Sequence, residues 1–138
     1  MSAETNKRLM IRWLEDVFNQ GNLASVDELA ASDAVFHGPY PTPDVVGTDA
    51  VKQFVRDFRA GLADPRFTLE VLIAEGDLTA LRVTTTGIHR GELLGIPPTG
   101  NPVTMTSMTI FRWKEGRLVE GWDEWDFGGI RQRLRAAS

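Results

Sequence analysis

The stretch TDAVKQFVRDFRAGLADPRFTLEVLI, residues 48–73, changes period in its middle. Up to Pro65 the apolar residues Val51, Phe54, Val55, Phe58 and Leu62 fall at i, i+3, i+4, i+7 and i+11, the stripe of an amphipathic helix with Thr48 placed to cap it. Beyond Pro65 the period drops to two. Phe67, Leu69, Val71 and Ile73 alternate with Thr68, Glu70 and Leu72, which reads as a strand with one apolar face.

Helices precede this switch. Met10, Leu14, Val17 and Phe18, widened by Trp13, predict an amphipathic helix over about 6–19, stopped by Asn19-Gln20-Gly21-Asn22. A shorter helix is expected over 23–31, capped by Asn22 and apolar at Val26, Leu29 and Ala30. Ala34 to His37 is a short strand candidate. The prolines of the following Gly38–Pro43 stretch forbid helix and central strand alike, which predicts a rim loop or lid.

Strands follow the switch. Residues 80–89 and 103–114 are two long candidates, and Glu115-Gly116 makes a tight hairpin into a last strand over 117–125. A short helix over about 129–136 closes the chain. Helices first and an antiparallel meander second is the α+β pattern, with helices covering one face of a curved sheet and a pocket left between them.

Composition bounds what such a domain does. The 138 residues, 15.3 kDa and 42% hydrophobic, suit a single domain spanning 1–138 with one core. No apolar run approaches the ~20 residues of a membrane span. Met1 to Arg8 lacks the basic-then-apolar layout of a secretory signal, so a cytoplasmic protein is the expectation. The absence of cysteine removes disulfides, thiolate zinc sites and cysteine nucleophiles. A net charge of −4 argues against a nucleic-acid partner, the cluster Arg131, Arg133 and Arg135 reading as a solvated helix end.

Little conventional site chemistry is on offer. Gly91 to Gly95 has no following Gly-Lys-Ser/Thr and lies between strands, so no phosphate cradle is expected. His37 and His89 form no His-x-His or His-x-x-x-His pair, and no metal is expected. No Gly-x-Ser-x-Gly elbow surrounds a serine. What remains is Glu120-Gly121-Trp122-Asp123-Glu124-Trp125-Asp126, four carboxylates beside two indoles. A carboxyl against an indole is partly desolvated, which raises its pKa toward neutrality and suits it to proton transfer. Alternation puts Gly121, Asp123 and Trp125 on one face and Glu120, Trp122 and Glu124 on the other, and leaves open which face is inside.

Taken in order, several segments resemble the SnoaL-like polyketide cyclases, or ester cyclases, of the nuclear transport factor 2-like superfamily. They are 18–23 (FNQGNL), 35–39 (VFHGP), 87–92 (GIHRGE), 95–100 (GIPPTG) and 116–122 (GRLVEGW), with Asp126. The resemblance implies a cone-shaped α+β barrel, a curved antiparallel sheet wrapped around a long helix with a deep apolar pocket, in a homodimer or higher oligomer. It implies that Gly121, Asp123 and Trp125 face the cavity, with Asp123 as acid/base in a cofactor-free intramolecular aldol closure. His37, His89, Phe18, Ser107 and Thr109 would surround the pocket. The antibiotic-pathway cyclases carry larger amide and imidazole groups where Ser107 and Thr109 stand, and tyrosine and asparagine at Phe18 and His37.

The expected function is therefore cofactor-free acid/base chemistry on a hydrophobic, carbonyl-bearing small molecule. Asp123 would move the proton and His37 or His89 polarise the oxygen. The alternatives are a binding module in which Phe18, Phe54, Phe58 and Trp125 simply line an apolar pocket, and a protein-interaction scaffold in which Trp122 and Met108 form a dimer interface.

Overall fold

The computed structural model describes residues 2–38 and 43–137, the last by its backbone alone. Residues 39–42 of the expected proline-rich loop lie outside the described residues. Helix α1 (Ala3–Arg12) starts on Ser2, whose hydroxyl accepts the Thr5 N–H, and runs on as a wide π-helical stretch, Trp13–Asn19. Helix α2 (Ala24–Leu29) leads into β1 (Ala30–His37), a two-residue β2 (Val45–Val46) and α3 (Thr48–Ala60). Strands β3 (Leu62–Glu75), β4 (Leu78–His89), β5 (Pro102–Lys114) and β6 (Arg117–Trp125) form the meander, and α4 (Phe127–Ala137) ends the chain.

The six strands make one open, curved sheet in the order β2-β1-β6-β5-β4-β3. β3 to β6 pair antiparallel as expected, whereas β1 joins β6 in parallel, Phe36 opposite Gly121 and His37 opposite Trp122. The β5–β6 hairpin turns on Glu115 and Gly116, both at positive φ, the two-residue geometry that matches strand twist.

Several features differ from the sequence reading. The helix expected over 23–31 ends at Leu29, and β1 opens at Ala30 instead of Ala34. α3 stops at Ala60 and Leu62 opens β3, so the fifth residue of the helical stripe belongs to the strand. The N-cap is Gly47, and Thr48 is the first helical residue. Within β3 the register shifts between Leu69 and Val71, since Leu69 pairs Val83 and Val71 pairs Arg82. Glu70 is the extra residue of a bulge, and it reverses the alternation. Phe67 and Leu69 pack inward, whereas Val71 and Ile73 are 52% and 62% exposed on the outer face.

The helices lie on the inner face. Met10, Trp13 and Val17 meet Phe67, Leu81, Phe111 and Trp113 in the main core. The rings of Trp13, Phe36 and Phe111 sit about one ring diameter apart, with centroids 5.8 to 6.1 Å from one another. Phe111 fills the room left by Gly121, where a Cβ would come within 2.7 Å of the ring. A second cluster, Leu62, Leu93, Ile96, Val103, Met105, Ile130 and Leu134, packs α4 and the β4–β5 connection across the other end.

Polar ties fix the helices to the sheet. The Asn19 side chain donates to the Phe67 carbonyl and accepts the Phe67 N–H, each at 2.8 Å. Arg59 of α3 donates to the carbonyls of Phe18 and Asn19. A carboxamide and a guanidinium thus anchor the end of the π-helical stretch, and with it Phe18.

Candidate active site

Between the two clusters the inner face does not close. The hollow has about 690 Å³ of atom-free space, the open solvent at its mouth included. One wall is apolar, with Leu14 and Phe18 from the π-helical stretch and Phe54 and Phe58 from α3. Phe54 stacks on Phe58, and Phe58 and Phe18 both meet Phe67. The opposite wall is the sheet. Its inward positions run Leu81, Val83 and Thr85 along β4, Met105, Ser107, Thr109 and Phe111 along β5, and Asp123 and Trp125 along β6.

Asp123 is the one carboxylate, and the one titratable group, among the described residues of this lining. It stands directly across from Thr109, whose hydroxyl donates to its Oδ1. Oδ2 is left for the cavity. Burial against the apolar walls pushes the Asp123 carboxyl from 3.8 up to about 6, the Thr109 hydrogen bond working against that rise and the neighbouring Glu124 charge adding to it. At pH 7 such a group is mostly ionised yet close enough to its pKa to hold a proton briefly, as a general acid/base requires.

The structure brings Asp123, Phe18, Phe54, Phe58, Ser107, Thr109 and Trp125 together around one cavity. Neither expected histidine joins them. His37 follows Phe36 on β1, so alternation turns it to the outer face when Phe36 packs inward. There its Nε2 lies 2.8 Å from Glu120 and its Nδ1 3.1 Å from Asp44, and its ring stacks on Trp122. The Glu120 hydrogen bond, then that of Asp44, raises its pKa above 6.5. His89 does point inward but is fully buried, its Nδ1 3.1 Å from the Thr99 hydroxyl at the end of the sheet beyond the cavity lining. Neither histidine is placed to polarise a carbonyl held in the cavity.

The lining also holds residues the sequence reading passed over, chiefly Thr85, Met105 and Trp13. Strict alternation along β4 from Leu81 was the available signal for Thr85. Among the described residues no three His, Cys, Asp or Glu side chains converge where a metal ion would sit. No helix among them is long and apolar enough to cross a membrane.

An open sheet curved over helices that leave an apolar hollow is the nuclear transport factor 2-like fold. The family model of the SnoaL-like polyketide cyclases matches residues 8–134, and the chain belongs to that family. Among solved structures it is similar to a protein described as a SnoaL-like polyketide cyclase from Jannaschia sp. CCS1, with a TM-score of 0.90 at 20% identity over 97% of this chain and 94% of that one. It is also similar to TsrD from Streptomyces laurentii, with a TM-score of 0.85 at 26% identity over 99% and 98%. IdmH from Streptomyces antibioticus, described as a polyketide cyclase, is 32% identical with a TM-score of 0.76 over 91% and 95%. No curated protein sequence matches the chain.

Proposed function

We propose that the protein catalyses proton transfer at a carbon next to a carbonyl in a hydrophobic small molecule, leading to an intramolecular aldol-type ring closure. The observation that carries this is the solitary carboxylate Asp123, facing an apolar cavity with its pKa lifted to about 6. Oδ2 takes the proton from the α-carbon, and the electron pair moves onto the carbonyl oxygen. The Ser107 hydroxyl, one rung along β5 from Thr109, donates to that oxygen. The enolate carbon then attacks a second carbonyl of the same molecule, and the alkoxide formed takes the proton back from Asp123. The step balances with one proton and a new C–C bond, so no cofactor enters the proposal.

The direct test needs no knowledge of the natural substrate. 2-Acetylnaphthalene carries acidic acetyl protons on an apolar ring system of suitable size. In D₂O the protein is expected to accelerate deuterium uptake into the acetyl group, read by proton NMR, with an acid limb near pH 6. Asp123→Asn removes the base and the exchange with it. Exchange that persists unchanged in this variant would falsify the assignment.

A second reading keeps the cavity and drops the chemistry. The hydroxyl of Thr109 is committed to Asp123, which leaves few donors for an oxyanion, while seven phenylalanine and tryptophan rings supply binding area. Tight binding of 2-acetylnaphthalene without exchange would select this reading.

We further propose that a second copy covers the outer face of the sheet. Two rows there run Val71-Arg82-Met108-Glu124 and Ile73-Ala80-Ile110-Trp122, with Met108 61% and Ile110 44% exposed. A two-fold axis along β5 lays β4 of one copy over β6 of the other, which sets Arg82 opposite Glu124 of the partner subunit. The face is thus complementary to itself in charge as well as apolar. Light scattering is expected to give a dimer, and Met108→Lys with Ile110→Lys a folded monomer. A monomeric wild-type protein would overturn this.

A further inference from the structure

The inward positions of the sheet wall carry two hydroxyl side chains besides that of Thr109, those of Thr85 and Ser107. Among the described residues neither Ser107 nor Thr85 has a hydrogen bond from its side chain to another protein group, and neither oxygen is sealed from the cavity. Thr85 is only 5% exposed, and it lies on an inward position of β4 between Val83 and Gly87. A hydroxyl that deep among apolar side chains is normally bonded, because leaving it without a partner is unfavourable. Trp113 shows the usual outcome in this same fold, its indole N–H donating to the buried Thr79 hydroxyl at 2.9 Å.

The register places the three groups in order. Thr109 faces Asp123, Ser107 faces Val83 on β4, and Thr85 faces Met105 on β5. Asp123 and Ser107 are diagonal neighbours on adjacent strands, and so are Ser107 and Thr85. Each diagonal step is about 7 Å. A polar line therefore crosses the sheet wall from β6 to β4, facing a largely apolar wall of Leu14, Phe18, Phe54 and Phe58. One carbonyl held at Asp123 and Ser107 cannot also reach Thr85.

We infer that Thr85 is a second recognition point, which binds an oxygen of the ligand about 7 Å beyond the carbonyl that Ser107 holds. This rests on the proposed ligand-binding role of the cavity and adds a constraint on what fits it. The ligand is a flat, largely apolar molecule with two oxygen functions lying along one line, the distal one a hydroxyl or carbonyl that exchanges a hydrogen bond with Thr85. Trp125, on the same rung as Ser107, supplies a ring surface beside the first of them. The methyl of Thr85 and the neighbouring Met105 close off space for any bulkier distal group.

Two probes of matched shape test this. 2-Acetylnaphthalene carries one oxygen, and 6-hydroxy-2-acetylnaphthalene adds a second at the far end of the same ring system. Dissociation constants are read from quenching of tryptophan fluorescence, since Trp13 and Trp125 line the cavity. The wild-type protein is expected to bind the two-oxygen probe about three- to tenfold more tightly. Thr85→Val abolishes that preference and leaves the affinity for the one-oxygen probe unchanged. Thr85→Ser restores it, which a purely structural role of the side chain would not produce. Ser107→Ala weakens both probes alike. A preference that survives Thr85→Val in a folded variant, or equal binding of the two probes by the wild-type protein, overturns the inference. Failure of the wild-type protein to bind either probe removes the ligand-binding role of the cavity itself, a distinct outcome.

Discussion

Asp123 and His37 sit at neighbouring places on opposite faces of one sheet, His37 on β1 pairing with Trp122 and Asp123 following Trp122 on β6. Both have raised pKa values, for opposite reasons. Asp123 is raised because burial disfavours its charge; His37 is raised because the Glu120 and Asp44 carboxylates favour its charge. The inner face thus holds a group whose ionised form burial disfavours against a single hydrogen bond from Thr109, and the outer face a group whose charge two carboxylates answer.

The linkage signs agree even though the causes differ. A carboxyl whose folded pKa lies above its unfolded value loses stability as pH rises between the two, here from 3.8 to about 6. A histidine whose folded pKa is raised contributes stability fully below 6.5 and loses it as pH climbs through the raised value. The two faces therefore weaken the fold in successive windows on the way to alkaline pH.

The largest effect expected from disturbing this contrast is on turnover. Asp123→Asn should lower proton exchange by about 10²- to 10⁴-fold, whereas Glu120→Gln on the outer face should leave it unchanged. Comparable losses in both would erase the distinction between the faces. Next, Asp123→Asn should make the protein more stable at pH 8, by up to about 3 kcal/mol for a pKa displaced from 3.8 to about 6. Urea unfolding at several pH values checks this, and the gain should shrink toward pH 4. A flat difference across pH would mean that the carboxyl is not strained by its burial.

Gly121→Ala probes the inner packing without touching a charge. Its new Cβ would crowd the Phe111 ring at 2.7 Å, and a loss of about 1–3 kcal/mol is expected in the same urea assay. The smallest effect is on the outer face. Glu120→Gln should bring the His37 midpoint down toward 6.5 in an NMR titration of the imidazole protons and change stability little, because both partners are about a third exposed. A midpoint that does not move would assign the shift to Asp44 instead.

Much of the architecture was legible in residues 48–73 alone, because a change of hydrophobic period is a direct image of the change from helix to strand. The hairpin at Glu115-Gly116 was legible for the same local reason. β1 joining β6 in parallel was not, since nothing in the short run at residues 34–37 says which distant strand it will meet. The face of β6 could not be chosen from spacing, as each side carries a tryptophan; the family resemblance chose it. Resemblance also drew His37 and His89 toward the pocket. For His37 the local signal pointed the other way, because Phe36 beside it is the residue a core would take. Thr85 was missed because a threonine in a strand is unremarked until its surroundings are known to be apolar.

Glu70 acts on β3 as an inserted letter acts on a reading frame. Ahead of it the odd-numbered residues Phe67 and Leu69 face the helices; after it the odd-numbered Val71 and Ile73 face away, and Leu72 turns in. A chain lacking Glu70 would restore the frame and send Val71 and Ile73 inward at the expense of Leu72, stripping one edge of the outer surface of its aliphatic groups. One residue with no partner across the ladder thereby apportions greasy side chains between the inside of this protein and whatever meets its outside.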